Sequence, residues 1–143
     1  MIKHYKSLDK RRIEKILRSL SVEYIPNLAE QVDIDEYAGK LARNASFILY
    51  QEDNTDFGII GYYLNNEFAF ISTFGLHSNY QGKGIAKKMF ECFISNLGQV
   101  RTVFLEVHVE NLKAKNFYNK LGFEFNSRNH NTLKLIKKLD GRY

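Results

Sequence analysis

Apolar residues recur along this chain with two different periods, and the changes of period divide it into elements. Residues 2–6 read as a short edge strand. After Asp9, a residue suited to cap a helix, Ile13, Ile16, Leu17 and Leu20 fall on one helical face. Residues 22–33 fit no period and hold the only proline, Pro26, so they read as a loop. A second helix, capped by Asp33 or Asp35, buries Tyr37, Ala38, Leu41, Ala42 and Ala45. Strand-like runs follow. Strands are expected over 47–51 and 58–64, joined through 53–56, and Asn65-Asn66 turns the chain into a third strand over 68–76, rich in β-branched and aromatic residues. Ile85, Met89, Phe93 and Leu97 recur every fourth residue, so a long helix starts near Lys83 and ends at Gly98. Alternation returns over 103–109. Asn111 then caps a helix carrying Ala114, Phe117, Tyr118 and Leu121, closed by Gly122 at its C-terminal cap. Residues 123–125 and 132–138 read as a final pair of strands.

The element order is therefore β-α-α-β-β-β-α-β-α-β-β. The strand, helix and strand around residues 68–109 imply a parallel neighbour pair reached by a right-handed crossover, while hairpins join the other strands. The expected class is α/β (α+β), with a mixed, mostly antiparallel central sheet flanked by helices in one domain spanning 1–143. The 143 residues, 44% hydrophobic and 26% charged, suit a globular protein with one core. No apolar run approaches membrane-spanning length and the N-terminal residues lack a signal-peptide core, so a cytoplasmic protein without a membrane partner is expected. The one cysteine, Cys92, excludes an internal disulfide and a cysteine-rich zinc site, and no metal is expected. The net charge of +5 raises the question of nucleic acid. Its densest basic group, Lys10-Arg11-Arg12 with Lys15 and Arg18, is interleaved with apolar residues at helical spacing and reads as a solvated helix face. The modest basic excess suits a polyanionic small ligand equally, and no nucleic-acid partner is expected.

Candidate chemistry concentrates in the stretch Phe74-Gly75-Leu76-His77-Ser78-Asn79-Tyr80-Gln81-Gly82-Lys83-Gly84-Ile85-Ala86. Gly82 and Gly84 stand where strand becomes helix, and glycine there lets backbone N–H groups approach a ligand without an intervening Cβ. Such amides, at the positive end of a helix dipole, favour an anion such as phosphate. The dinucleotide fingerprint is not met, because Lys87 stands where its third glycine belongs, and the P-loop pattern is absent as well. The segment instead resembles the Gln/Arg-x-x-Gly-x-Gly/Ala signature of the GCN5-related N-acetyltransferase superfamily, here Gln81, Gly84 and Ala86. A second block, Asn111, Ala114, Phe117, Tyr118, Gly122 and Phe123, matches that superfamily's Asn-x-x-Ala-x-x-Phe-Tyr-x-x-x-Gly-Phe motif, and the element order agrees from end to end.

The resemblance implies an acetyl-CoA-dependent fold and places parts on it. Gln81, Gly82, Lys83, Gly84, Ile85 and Ala86 would surround the pyrophosphate, and the pantetheine arm would lie along Phe74, Gly75 and Leu76 like an added strand, met by Asn111 and Phe117. It also implies that the Leu76 N–H faces the carbonyl oxygen and that Tyr118 returns a proton to the departing thiolate. Bland readings stand beside these. Ala114, Phe117 and Leu121 also form a core face, Lys83 equally well faces water, and Lys115 reads as solvated helix surface in preference to a contact with the 3′-phosphate.

Acyl transfer to an amine needs a base, because an amine with a lysine-like pKa near 10.4 is mostly protonated at neutral pH. Glu106, His108, Glu67 and His77 are the candidates. Alternation puts Glu106 and His108 opposite Leu105 and Val107, and a carboxylate in so apolar a strand is expected to be partly desolvated and more basic. Leu105-Glu106-Val107 also resembles the ribosomal-protein alanine acetyltransferases, whose base is a glutamate in this place. The histone-type position falls on Phe68 instead. Glu106 is favoured over a relayed water, with a merely solvated strand residue as the alternative. For the acceptor, Glu23, Tyr24 and Asn27 in the loop, together with His108, are the candidate contacts. A small-molecule amine is expected; a loose resemblance of residues 25–41 to members found with bacterial surface-polysaccharide enzymes suggests an amino sugar. A protein N-terminal or lysine acetyltransferase and a non-catalytic acyl-CoA-binding module are the alternatives, in a monomer or homodimer.

Overall fold

Helices begin in this chain where a short polar side chain can satisfy the first free amides. A computed structural model describes residues 1–139. In it Asp9 accepts from the Arg12 N–H at 3.0 Å to start α1 (Lys10–Leu20). Asn27 caps the short α2 (Leu28–Gln31), Asp33 caps α3 (Ile34–Asn44), and Asn111 caps α5 (Leu112–Lys120). Only α4 (Ile85–Ser95), among these helices, follows a residue without a side-chain cap, Gly84.

The strands are β1 (Ile2–Tyr5), β2 (Ser46–Glu52), β3 (Thr55–Leu64), β4 (Ala69–Leu76), β5 (Thr102–His108), β6 (Glu124–Asn129) and β7 (Thr132–Lys138). They form a seven-stranded sheet in the order β1-β2-β3-β4-β5-β7-β6. Every neighbouring pair is antiparallel except β4 and β5. Alternation along β2 and β3 feeds two cores. Phe47, Leu49 and Ile59 meet Ile13, Leu17 and Leu41 of α1 and α3 on one face; Ile48, Ile60 and Tyr62 meet Met89 and Phe93 of α4 on the other. The stretch read as a loop is partly helical: a 3-10 turn at Ser21–Glu23 precedes α2, whose single buried residue, Leu28, is too little to print a period. The last hairpin also differs, since Phe123 is core and β6 starts only at Glu124.

A paired contact ties α1 to the start of β3. The Arg12 guanidinium donates to both Asp56 oxygens, at 2.9 and 3.0 Å. Burial alone would raise the Asp56 pKa; the hydrogen bonds from Arg12 and Gln51 outweigh it and hold the carboxyl below its ordinary value. A depressed carboxylate stabilises the fold above its unfolded pKa, near 4, and that contribution is lost as pH falls through the folded value. Asp56→Asn is expected to cost about 2 kcal/mol at pH 7 in urea unfolding, with the gap to the unaltered chain narrowing below about pH 4.

The feature that positions the site is a bulge in β4. Gly61 pairs with Thr73 and Tyr62 with Ile71, which leaves Ser72 as an extra residue. On its other side β4 pairs with β5 only through Ala69, Phe70 and Ile71. A bulged strand bends and twists, so beyond Ser72 it leaves β5 and the sheet splits. Tyr37 of α3 holds the bend: its hydroxyl donates to the Ser72 carbonyl at 3.0 Å and also meets the Ser72 hydroxyl. Burial pushes the Tyr37 phenol up to about 12, so it stays protonated and donating.

Candidate active site

β4 ends at the split and the chain turns into α4 through a 3-10 turn at Ser78–Tyr80 and the glycine loop. Gly82 and Gly84 adopt φ of +75° and +81°, which only glycine adopts at little cost, and nothing lies within 4 Å of where a Cβ would stand. With no side-chain cap at Gly84, the first amides of α4 point outward, free for an anion. Gln81 supports the turn, its Nε2 donating to the Leu76 carbonyl at 2.7 Å while the Lys113 ammonium donates to its Oε1. The His77 N–H donates to the Phe57 carbonyl of β3 at 2.8 Å. Successive residues of an antiparallel strand point their N–H groups to opposite sides, so Leu76 presents its own to the split.

A cavity of about 470 Å³ runs from this loop into the split, lined by Phe74, Gly75, Leu76, Gln81, Gly82, Gly84, Ala86, Asn111, Phe117 and Tyr118. Two of the loop residues proposed from the sequence do not line it. Ile85 packs against the core, and Lys83 lies over the Tyr80 ring, 5.8 Å from its centroid. Among the described residues the cations on the wall are Lys87 and Lys113, which sequence reasoning passed over. Their signal was position: both sit on the first turn of a helix beside the glycine loop or the Asn111 cap.

Beyond the split lies a second cavity of about 240 Å³, sharing Tyr24, Ile25, Phe74, Asn111, Ala114 and Tyr118 with the first. Two phenols meet where the cavities join. Tyr118 comes from α5, 8% exposed, its ring against Phe74 and Phe123. Tyr24 comes from the opposite side of the sheet, bonded to the Thr73 hydroxyl and lying so close over Gly75 that a Cβ there would stand 2.8 Å from its oxygen. Burial raises the Tyr118 pKa, and the neighbouring Tyr24 phenol raises it further. Tyr118 therefore stays protonated across the neutral range. Among the described residues its hydroxyl has no hydrogen-bond partner, so the proton is available to whatever enters the split.

Of the four candidate bases, Glu106 and His108 line the second cavity; Glu67 and His77 line neither. The His108 Nδ1 accepts the Glu110 N–H at 3.1 Å, so a neutral ring carries its proton on Nε2 and offers no lone pair to a substrate. Glu106 is exposed, not desolvated as its apolar strand suggested, because its side chain opens onto the cavity. Among the described residues it makes no hydrogen bond or ion pair. Two acceptor contacts expected from the sequence are spent elsewhere. The Asn27 carboxamide caps α2 through the Ala29 N–H at 3.1 Å and lines neither cavity. The Glu23 carboxylate accepts the Ser78 N–H at 3.0 Å and lies on the glycine-loop side.

Comparison with known proteins agrees with this geometry. The sequence profile of the Acetyltransferase (GNAT) family matches residues 13–123, and the chain belongs to that family. A spermine/spermidine N(1)-acetyltransferase of Bacillus subtilis (strain 168) is 30% identical over 96 residues, which are 63% of this chain and 57% of the relative. The chain thus spans little more than half the length of that relative. Among solved structures, an acetyltransferase of Thermus thermophilus superposes with a TM-score of 0.79 at 18% identity, over 97% of each chain. The PaiA N-acetyltransferase of Thermoplasma acidophilum, in complex with coenzyme A, superposes with a TM-score of 0.73 at 19% identity, over 96% of this chain and 99% of that one. At such identities the likeness is one of fold. The fold uses acetyl-CoA, and the residues present here fit it: uncapped α4 amides for phosphate, Lys87 and Lys113 for charge, and the open β4 edge for an extended arm.

Proposed function

We propose that this chain transfers the acetyl group of acetyl-CoA to a primary amine of a small molecule by direct attack. The observation that carries this reading is the junction of the two cavities at Tyr118, with Glu106, a carboxylate without a partner among the described residues, on the far side. The thioester supplies an activated acyl group. In this reading the loop Gln81–Ala86 holds the phosphates and Phe74 to Leu76 align the arm. Glu106, directly or through a water, takes a proton from the incoming ammonium. The Leu76 N–H faces the oxygen on which negative charge builds, and Tyr118 gives its proton to the departing sulfur. A non-catalytic acyl-CoA-binding module would need the glycine loop but neither Tyr118 nor Glu106.

Thermal unfolding with acetyl-CoA, with NAD and ATP as controls, tests the first half of the reading. A ligand bound only by the native state at a hundred times its Kd adds about 2.7 kcal/mol, several degrees for a domain of this size. No rise would remove the acetyl-CoA reading altogether. Thiol release in the presence of amines tests the second half. Glu106→Gln is expected to lower kcat by about a hundredfold, the low end of what a general base contributes, while the thermal shift with acetyl-CoA is retained.

A further inference from the structure

The second cavity also constrains what enters it. Its walls carry Ile25, Leu28, Val32, Leu105 and Val107, and most polar side chains among them make at least one hydrogen bond within the fold. Tyr37 and Ser72 bond each other, as do Tyr24 and Thr73. Asn111 accepts the Ala114 N–H, Gln31 donates to the Pro26 carbonyl, and His108 accepts the Glu110 N–H. Among the described residues Glu106 is, besides Tyr118, the polar lining side chain without a bond, and among them it is the one acidic side chain lining the cavity. Its register partner on β7 is a cation, Lys134, whose ammonium lies over the Phe104 ring.

We infer that the acceptor is a primary monoamine on a compact apolar or aromatic body. This rests on the acetyl-transfer reading above. One ammonium finds Glu106, loses its proton there and faces Tyr118, while the body lies against the aliphatic wall. A polyamine has further ammonium groups, and among the described residues lining this cavity they meet no second carboxylate; a cation held against the aliphatic wall without a partner is disfavoured. An amino sugar gains less, because its several hydroxyls leave water for a mostly aliphatic wall on which, among the described residues, the free side-chain atoms besides Glu106 and Tyr118 are few, His108 Nε2, Asn111 Nδ2 and Gln31 Oε1. A cavity of about 240 Å³ lies below the roughly 300–1,000 Å³ usual for drug-sized ligands, which also speaks against a nucleotide-linked sugar.

The test is an acceptor series at saturating acetyl-CoA: 2-phenylethylamine, spermidine and glucosamine. A parallel thermal unfolding series has coenzyme A in place of the acetyl donor, so that binding is read without turnover. Phenylethylamine is expected to show kcat/KM at least about tenfold above the other two, equivalent to about 1.4 kcal/mol, and alone to raise Tm further. Gln31→Glu, which adds a carboxylate at the cavity wall and gives up the bond to the Pro26 carbonyl, is expected to raise the ratio of kcat/KM for spermidine to that for phenylethylamine about tenfold. Spermidine or glucosamine acetylated as well as phenylethylamine would overturn the inference and leave the acetyltransferase reading standing. Transfer to none of the three, with Tm still raised by acetyl-CoA, would also overturn the inference. Absence of both transfer and thermal shift would remove the reading beneath it.

Discussion

Tyr118→Phe is expected to lower kcat by about a hundredfold or more, while the thermal shift produced by acetyl-CoA stays where it was. The two readouts separate because of what the hydroxyl touches. It has no partner among the described residues, so removing it breaks no bond within the fold, and the ring keeps its packing against Phe74, Phe117 and Phe123. What is lost is a donor at the junction of the cavities. Burial keeps that donor protonated, so no ionisation of Tyr118 itself should shape the rate near neutral pH. A stopped assay of thiol release with 2-phenylethylamine, run from pH 6 to 9, reads the loss. An unaltered kcat would remove Tyr118 from the reaction and leave it a core residue with an idle hydroxyl.

Gly84→Asp acts at the other end and should do the reverse, abolishing the acetyl-CoA thermal shift. Three effects add. At φ +81° an L side chain is strained by about 1–2 kcal/mol. Its Cβ and carboxylate enter space that is otherwise open, where the phosphates would sit. The carboxylate also competes for the amides of α4 and repels a polyanion. Gly84→Ala keeps the strain and part of the bulk without the charge, and is expected to weaken binding less. The gap between the two variants, followed by isothermal titration with coenzyme A, measures the charge together with the remaining bulk. Full affinity in the aspartate variant would end the case for an anion site at the start of α4.

Much of this was legible in the sequence because it was written as period and punctuation. The α1 stripe, the Asp33 and Asn111 caps, the Gly122 terminator and the strand alternation of β5 are local patterns, and local patterns survive into the structure. The glycine loop was legible for the same reason. What escaped depends on long-range placement. Whether Asn27 caps a four-residue helix or reaches a ligand is decided by how α2 folds back on Ser21. Glu106 looked desolvated because its strand neighbours are apolar, yet the split leaves its own side open. The partnership of Tyr24 with Tyr118 joins opposite faces of the sheet, and no spacing along the chain announces it.

The bulge at Ser72 changes the parity of β4. Ala69 and Ile71 face the α4 core, yet beyond the extra residue it is Phe74 and Leu76 that do so, while Thr73 and Gly75 turn to Tyr24. Deleting Ser72 would therefore keep every other side chain of β4 on its present face. It would also straighten the strand, so that hydrogen bonds to β5 could continue like a closed zipper. Such a protein would fold and show no thermal response to acetyl-CoA. The capacity to receive a ligand here is thus a matter of residue count, and a lesion that no point substitution reproduces would convert a receptor into an inert scaffold.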